Sequence, residues 1–269
     1  MTDPRFQRLG LLAGPDTMEA LARCRVIVFG IGGVGSWCAE GLVRSGIGAL
    51  DIVDSDAVCV TNINRQVQAT EATVGRLKTD ALRERLLAIN SGCAIRAMGR
   101  VFSRENAGGF DIGGADYVVD AIDSLTHKLD LIETACNAGV PIFSSMGMAQ
   151  KLDPARIRVA DIWETSGCPL ARLVRQGLRK RGFSGHVTAV YSDERLPLRR
   201  EAGAACGAAR CLCPPRNAGD PPVEWCSSKK VINGSAVTVT AAAGMILASL
   251  VLRDLYRRHC GPARTEAAG

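Results

Sequence analysis

An α/β fold, a doubly wound and mostly parallel sheet with helices on both faces, is what this sequence predicts, and three observations carry that expectation. From residue 26 onward, short β-branched runs alternate with stretches of helical periodicity, the rhythm of βαβ units. The first run, Val26-Ile27-Val28-Phe29, feeds directly into Gly-Ile-Gly-Gly-Val-Gly-Ser at 30–36, which reads as strand, tight glycine turn and helix start. The second run ends on Asp54, nineteen residues beyond Gly35, where a carboxylate in such a Rossmann-like sheet meets a ribose.

The elements follow in chain order. Strands are expected at 26–29, 49–53, 94–98, 117–119 and 141–144, with helices at 37–45, 76–90 and 126–138. Beyond residue 150, strands at 157–162 and 187–191 flank a helix at 169–182. Residues 201–224 are rich in Gly, Ala, Pro and Cys and show neither period, so a long loop is expected over 201–230. Gly234 to Leu252 is nineteen residues without a charge, long enough for a membrane span. Its first half alternates Val and Thr and its second half is Ala, Gly and Leu, which favours a short strand or turn leading into a buried helix at 240–257, in the core or at a dimer interface. Residues 1–150 thus read as a nucleotide-binding half, 151–260 as the C-terminal half of the same domain, and 261–269 as a disordered tail.

Composition narrows the class. The 269 residues are 47% hydrophobic, which supports one large core and excludes a disordered chain. A net charge of +6 is concentrated at Arg172, Arg175, Arg179, Lys180 and Arg181, a cluster suited to an anionic partner such as RNA. Eleven cysteines, an odd number in a chain of this size, point to reduced thiols, and the N-terminus has no apolar signal core. The expected location is the cytoplasm, with peripheral or inner-membrane association through 234–252 as the alternative.

Gly30, Gly32 and Gly35 fit a dinucleotide turn and Gly33 adds a fourth small residue, so backbone N–H groups and a helix N-terminus can approach phosphate. Up to Asp54, NAD and ATP fit equally well. Beyond it stand Asn62, Arg65 and Gln66, with Lys78 at a helix start. Hydride transfer leaves a pyrophosphate intact and needs no such cluster, whereas nucleotidyl transfer must neutralise a departing pyrophosphate. Asp120 and Asp123, at the end of the strand Tyr-Val-Val-Asp, add carboxylates able to hold magnesium. Each residue has a plain reading as well: Arg65 and Lys78 as surface charges, Asn62 as a turn former, Asp120 or Asp123 as a helix N-cap.

Arg-Phe-Gln-Arg-Leu-Gly-Leu-Leu at 5–12, the glycine turn, Asp-Ser-Asp-Ala-Val-Cys-Val-Thr-Asn-Ile-Asn-Arg-Gln at 54–66, Lys78 and Asp-Ala-Ile-Asp at 120–123 together resemble the ubiquitin-activating-type adenylating enzymes. The resemblance implies a homodimer with an ATP and Mg2+ site that adenylates a carboxylate. It places Gly33 on the phosphates, Asp54 on the ribose, Asn62, Arg65, Gln66 and Lys78 on the phosphate chain, Asp123 on magnesium, and Arg5 in the other subunit's site. Where the family often has Asp-Asn, this chain has Asp123-Ser124.

The identity of the carboxylate is read from the second half. Sulfur-carrier adenylating enzymes commonly carry paired C-x-x-C motifs, but Cys206, Cys211, Cys213 and Cys226 have no such spacing. Cys226, beside Lys229 and Lys230, is a candidate reactive thiol, with inert thiols as the plain reading. In the helix at 169–182, Arg172, Arg175 and Arg179 share one stripe opposite Leu170, Leu173, Val174 and Leu178, a face suited to folded RNA or to plain solvent. The second half as a whole resembles the tRNA threonylcarbamoyladenosine dehydratases. That resemblance implies activation of the threonyl carboxylate of the modified adenosine beside the anticodon, followed by ring closure, with a sulfur-transfer protein as a further candidate partner. The alternatives are adenylation of a small sulfur-carrier protein, an NAD-dependent oxidoreductase and a nucleotide-sensing scaffold. His127, His186 and His259 form no triad or metal spacing and read as structural.

Overall fold

The computed structural model describes residues 3–196 and 233–260. Seven strands form one sheet: β1 (Arg25–Phe29), β2 (Ala49–Val53), β3 (Ala94–Met98), β4 (Tyr117–Asp120), β5 (Ile142–Ser145), β6 (Ile157–Asp161) and β7 (Thr188–Ser192). The spatial order is β3-β2-β1-β4-β5-β7-β6, parallel throughout except for the antiparallel pair of β6 and β7. Because β4 lies on the far side of β1 from β2, the carboxyl ends of β1 and β4 flank the crevice where such sheets take ligands.

Helices cover both faces: α1 (Gln7–Arg23), α2 (Gly35–Arg44), α3 (Lys78–Ile89), α4 (Leu125–Asn137), α5 (Pro169–Lys180) and α6 (Val237–Cys260). A central strand buried on both sides explains the unbroken apolar run of β1. Val26 and Val28 enter one core with Leu21, Leu42, Leu82 and Leu247, while Ile27 and Phe29 enter the other with Phe110, Leu131 and Val174. Phe29, Phe102 and Phe110 meet at centroid distances of 5.1 to 5.4 Å and fill the second core where strands meet loops.

Two regions differ from the sequence reading. Helix α1 was not foreseen; Gly14, at φ 80°, breaks it into two segments and Pro15 starts the second, so its helical period is interrupted midway. The Val-Thr-Val-Thr stretch expected as strand or turn is instead the first turn of α6. Packing overrides the β preference of these residues: Val239, Ala243, Leu247, Val251 and Leu255 recur every fourth residue and are buried. This helix is long and apolar enough to cross a membrane, and that stripe lies against α1 and α2. The loop expected at 201–230 and the tail at 261–269 lie outside the described residues.

The crossing of α6 over α2 is set by glycines. A Cβ on Gly244 would stand 2.4 Å from the Val34 carbonyl oxygen, and one on Gly41 would stand 3.0 Å from the Ala248 methyl. At its far end α6 is tied down by the Tyr117 hydroxyl, which donates to Asp254 Oδ2 at 2.7 Å, with Arg258 2.6 Å from the same oxygen. Gly244→Val should therefore lose about 2–3 kcal/mol of unfolding free energy in urea denaturation. Gly108→Ala, where nothing lies within 4 Å, should stay within about 0.5 kcal/mol of the parent.

Candidate active site

The turn after β1 is closed by backbone contacts only glycine permits. Gly30 has φ +79°, its N–H donates to the Val53 carbonyl at 2.8 Å, and a Cβ there would lie 2.8 Å from the Ala121 carbonyl oxygen. Ile31 is held from both sides: its N–H donates to Asp54 Oδ2 at 3.0 Å, and its carbonyl accepts from Gln68 Nε2 at 2.9 Å. Gly32 has only Gln66 Nε2 nearby, 3.8 Å from its Cβ position. At Gly33 the stem of Arg65 and the Thr240 Cβ come within 3.2 to 3.3 Å of that position, so α6 completes the wall of the turn.

The segment between β2 and α3 wraps over the start of α2. Asn62 Oδ1 accepts from the Cys59 N–H at 3.0 Å and shapes the turn before Arg65. The Trp37 indole N–H donates to the Arg65 carbonyl at 2.9 Å. Arg65 Nη1 donates to the Thr61 carbonyl and to Asn64 Oδ1, both at 2.9 Å, and Asn64 Nδ2 in turn donates to the Ser235 carbonyl at 2.9 Å. Burial lowers the Arg65 guanidinium below its usual range, against the opposing pull of Cys59 and Asp123.

Lys78 is the buried cation of the site, 6% exposed. Its N–H donates to the Asp56 carbonyl at 2.9 Å, and its Nζ lies 2.6 Å from Asp56 Oδ2 and 3.8 Å from Asp54 Oδ1. Burial favours the neutral amine, but Asp54, Asp56 and Asp123 outweigh it and raise Lys78 above 10.5. Asp54 is raised above 3.8, by burial first, with Lys78 opposing and Asp56 adding.

Gly30, Gly32, Gly33, Gly35, Asp54, Asn62, Arg65, Gln66, Lys78 and the exposed Asp123 thus gather at the carboxyl ends of β1, β2 and β4. Asp120 does not join them. It is fully buried, with Oδ2 2.6 Å from both Lys128 Nζ and Ser144 Oγ and Oδ1 accepting the Ile122 N–H at 3.0 Å, so it supports the β4–α4 loop from below. Neither Asp120 nor Asp123 caps α4, whose N-cap position is Ser124. Arg5 lies at the opposite, amino edge of the sheet, paired with Asp3 at 2.6 Å and pointing at the Ile89 carbonyl at 3.5 Å.

On α5 the buried face is Ala171, Val174 and Leu178. Arg172 and Arg179 are exposed, and Arg179 stacks over Trp163 at 5.5 Å. Two expectations are corrected here: Leu173 is 41% exposed, and half-buried Arg175 turns aside to donate to the Thr165 carbonyl at 2.7 Å. At 100° per residue Leu173 falls on the flank between the two faces, where the helix has no neighbour. His186 is exposed, 3.0 Å from Asp161. Among the described residues no group of three or more His, Cys, Asp or Glu side chains could hold a metal ion. Cys206, Cys211, Cys213 and Cys226 lie outside the described residues. Sequence reasoning missed Asp56, Gln68 and Lys128; the Asp-x-Asp spacing at 54–56 was a visible signal for the first, and nothing local marked the others.

Over residues 6–266 the chain matches the ThiF family. The chain belongs to the ThiF family. Among its ThiF relatives, the tRNA threonylcarbamoyladenosine dehydratase of Haemophilus influenzae is 35% identical, covering 95% of each chain. The Bacillus subtilis protein of the same name is 40% identical over 74% of this chain and 80% of its own. The crystal structure of the Escherichia coli tRNA N6-threonylcarbamoyladenosine dehydratase in complex with ATP superposes with a TM-score of 0.78 at 31% identity, covering 94% of each chain. These relatives put the chain in the tRNA threonylcarbamoyladenosine dehydratase branch of the ThiF family.

The charge arrangement fixes a sign for pH. A raised Lys78 contributes stability that is complete below 10.5 and lost as pH rises through its folded value. Lys78→Met, which leaves two carboxylates without their cation, should cost about 3 kcal/mol at pH 7. Because Asp54 is raised above 3.8, that deficit should shrink as pH falls through the folded value of Asp54, measured by denaturant unfolding across pH 4–8.

Proposed function

We propose that the protein uses ATP to dehydrate threonylcarbamoyladenosine beside the anticodon of tRNA. The observation that carries the reading is the joining of a glycine cradle to Arg65 and the buried Lys78 at one sheet edge. The fit to ATP rests on that cradle: Gly32 leaves backbone open where a side chain would fill it, Gly33 lets the stem of Arg65 pack against the turn, and the adjoining cations match a triphosphate. The NAD reading gives no task to Arg65 and Lys78.

A threonyl carboxylate oxygen attacks the α-phosphate of ATP, and diphosphate leaves. The resulting acyl-adenylate is then attacked by a nitrogen of the same modified side chain, the ring closes and AMP leaves. Its nucleophile is tethered, so positioning and charge neutralisation supply the acceleration without a side-chain base. Arg65, Lys78, Asn62 and Gln66 take the phosphate chain, and Asp54 the ribose hydroxyls. Asp123, whose charge acts on both Lys78 and Arg65, suits a magnesium ion that would neutralise the phosphate oxygens. In a homodimer, Arg5 at the sheet's amino edge would serve the partner's site, and the exposed Arg172 and Arg179 would take RNA phosphates in the cytoplasm.

Incubation with ATP, magnesium and threonylcarbamoylated tRNA, followed by nucleoside mass analysis, should show loss of one water from the modified adenosine. Arg65→Ala should slow it by about 10²-fold or more. Adenylation of a small carrier protein, with the tRNA unchanged, would reject the proposal. In the same assay, Arg172→Glu combined with Arg179→Glu should raise KM for tRNA and flatten its salt dependence while leaving KM for ATP unaltered. An unchanged KM for tRNA would remove α5 from the RNA surface.

A further inference from the structure

We infer that Gln68 is a positioning residue for the nucleotide cradle, holding the glycine turn in its phosphate-facing form; the inference rests on the ATP site proposed above. Gln68 is 2% exposed, and its Nε2 donates to the Ile31 carbonyl at 2.9 Å, across 37 residues of sequence. Its second contact, Gln66 Oε1, is longer at 3.4 Å, and its own Oε1 is buried with no hydrogen-bond partner.

A buried amide oxygen without a partner is costly, and an apolar side chain of the same length would avoid that cost. What Gln68 supplies that Met or Leu would not is the hydrogen bond to Ile31. Asp54 already fixes the N–H side of that residue, so Gln68 and Asp54 hold Ile31 from opposite ends. Immediately after Ile31 comes Gly32, whose Cβ position has only the Gln66 amide nitrogen nearby and so leaves room for phosphate. Release of the Ile31 carbonyl would free this peptide to rotate while the contacts of Gly30 with Val53 and Ala121 stay in place. Gln66 is affected as well, since Gln68 is bonded to its oxygen while its nitrogen lies beside Gly32. One amide thus orders both the backbone and one side chain of the cradle, and touches no substrate itself.

The test is the equilibrium Kd for ATP, measured by calorimetry beside thermal unfolding, in the parent, Gln68→Met and Gln68→His. Gln68→Met should weaken ATP binding about tenfold with a Tm equal to or above that of the parent, because it removes the unpaired oxygen along with the donor. Gln68→His, whose ring N–H can reach the same carbonyl, should recover most of the affinity. Unchanged ATP affinity in Gln68→Met would overturn the inference, as would a lowered Tm with no recovery in Gln68→His, the signature of a packing residue. The readout is independent of RNA: a parent that binds ATP yet leaves the tRNA unaltered would sink the proposed reaction and leave this inference to stand or fall on the Kd values. A parent that binds no ATP would overturn both.

Discussion

A side-chain carbon on Gly35 would sit 1.9 Å from the carbonyl oxygen of Gly30, and this backbone approach is the constraint from which the rest of the site follows. It turns the chain back on itself within six residues, so that α2 starts directly over the end of β1. The end of β4 can then come up to Gly30, which brings the loop carrying Asp123 to the same crevice. Trp37 and the buried Ser36, the first side chains of α2, then receive the 59–69 segment through its Arg65 carbonyl and Val67 N–H. Arg65 therefore reaches the cradle only because the turn beneath it is closed.

The electrostatics of the site follow a matching logic. Lys78 does not wait in water for a phosphate; it is already held by Asp56 and, at longer range, by Asp54. On the proposed reading, a triphosphate entering the crevice would compete with carboxylates for this cation, and binding would be an exchange of partners. Such an exchange gains less affinity than a naked lysine would give, and it keeps a buried charge paired throughout. Lower in the sheet, Asp120, Lys128, Ser144 and the Ser145 carbonyl form a closed network with every oxygen of the carboxylate engaged. The two clusters differ in exposure: the upper one opens on the crevice, and the lower one braces the carboxyl end of β4 from within the core.

Much of this was legible in the sequence because it is local. Strands at 49–53 and 94–98 fall where the alternation put them; β1, β4 and β6 differ by one residue at one end, and β5 and β7 are displaced by one residue at both ends. The glycine turn, Asp54, Arg65 and Lys78 could be read because their spacing in one βαβ frame is itself the signal. Three failures have physical causes. Gly14 and Pro15 hid α1 by breaking its period in the middle. Val237 to Thr240 look like strand to any local rule, yet they begin a helix whose buried stripe, from Val239 onward, packs on α1 and α2. Asp120 occupies the right sequence position for a metal ligand, but Lys128, eight residues on in the first turn of α4, and Ser144 on β5 take its carboxylate; Gln68 bonds across 37 residues, and a contact of that range leaves no local trace.

Helix α6 adds a consequence in time. Its first turns touch the cradle, through Thr240 beside Gly33 and the Ser235 carbonyl on Asn64, the latter pairing residues 171 apart in sequence. Fourteen residues beyond Thr240, about 21 Å along the axis, Asp254 anchors the helix on Tyr117 at the amino end of β4. A chain emerging from the ribosome makes the glycine turn and its cations early, but Thr240, the wall beside Gly33, follows more than two hundred residues later. Until then Leu42, Val43 and their neighbours on α2 lack the apolar stripe that covers them. The cradle cannot close ahead of the core, so competence to bind nucleotide and completion of folding arrive together.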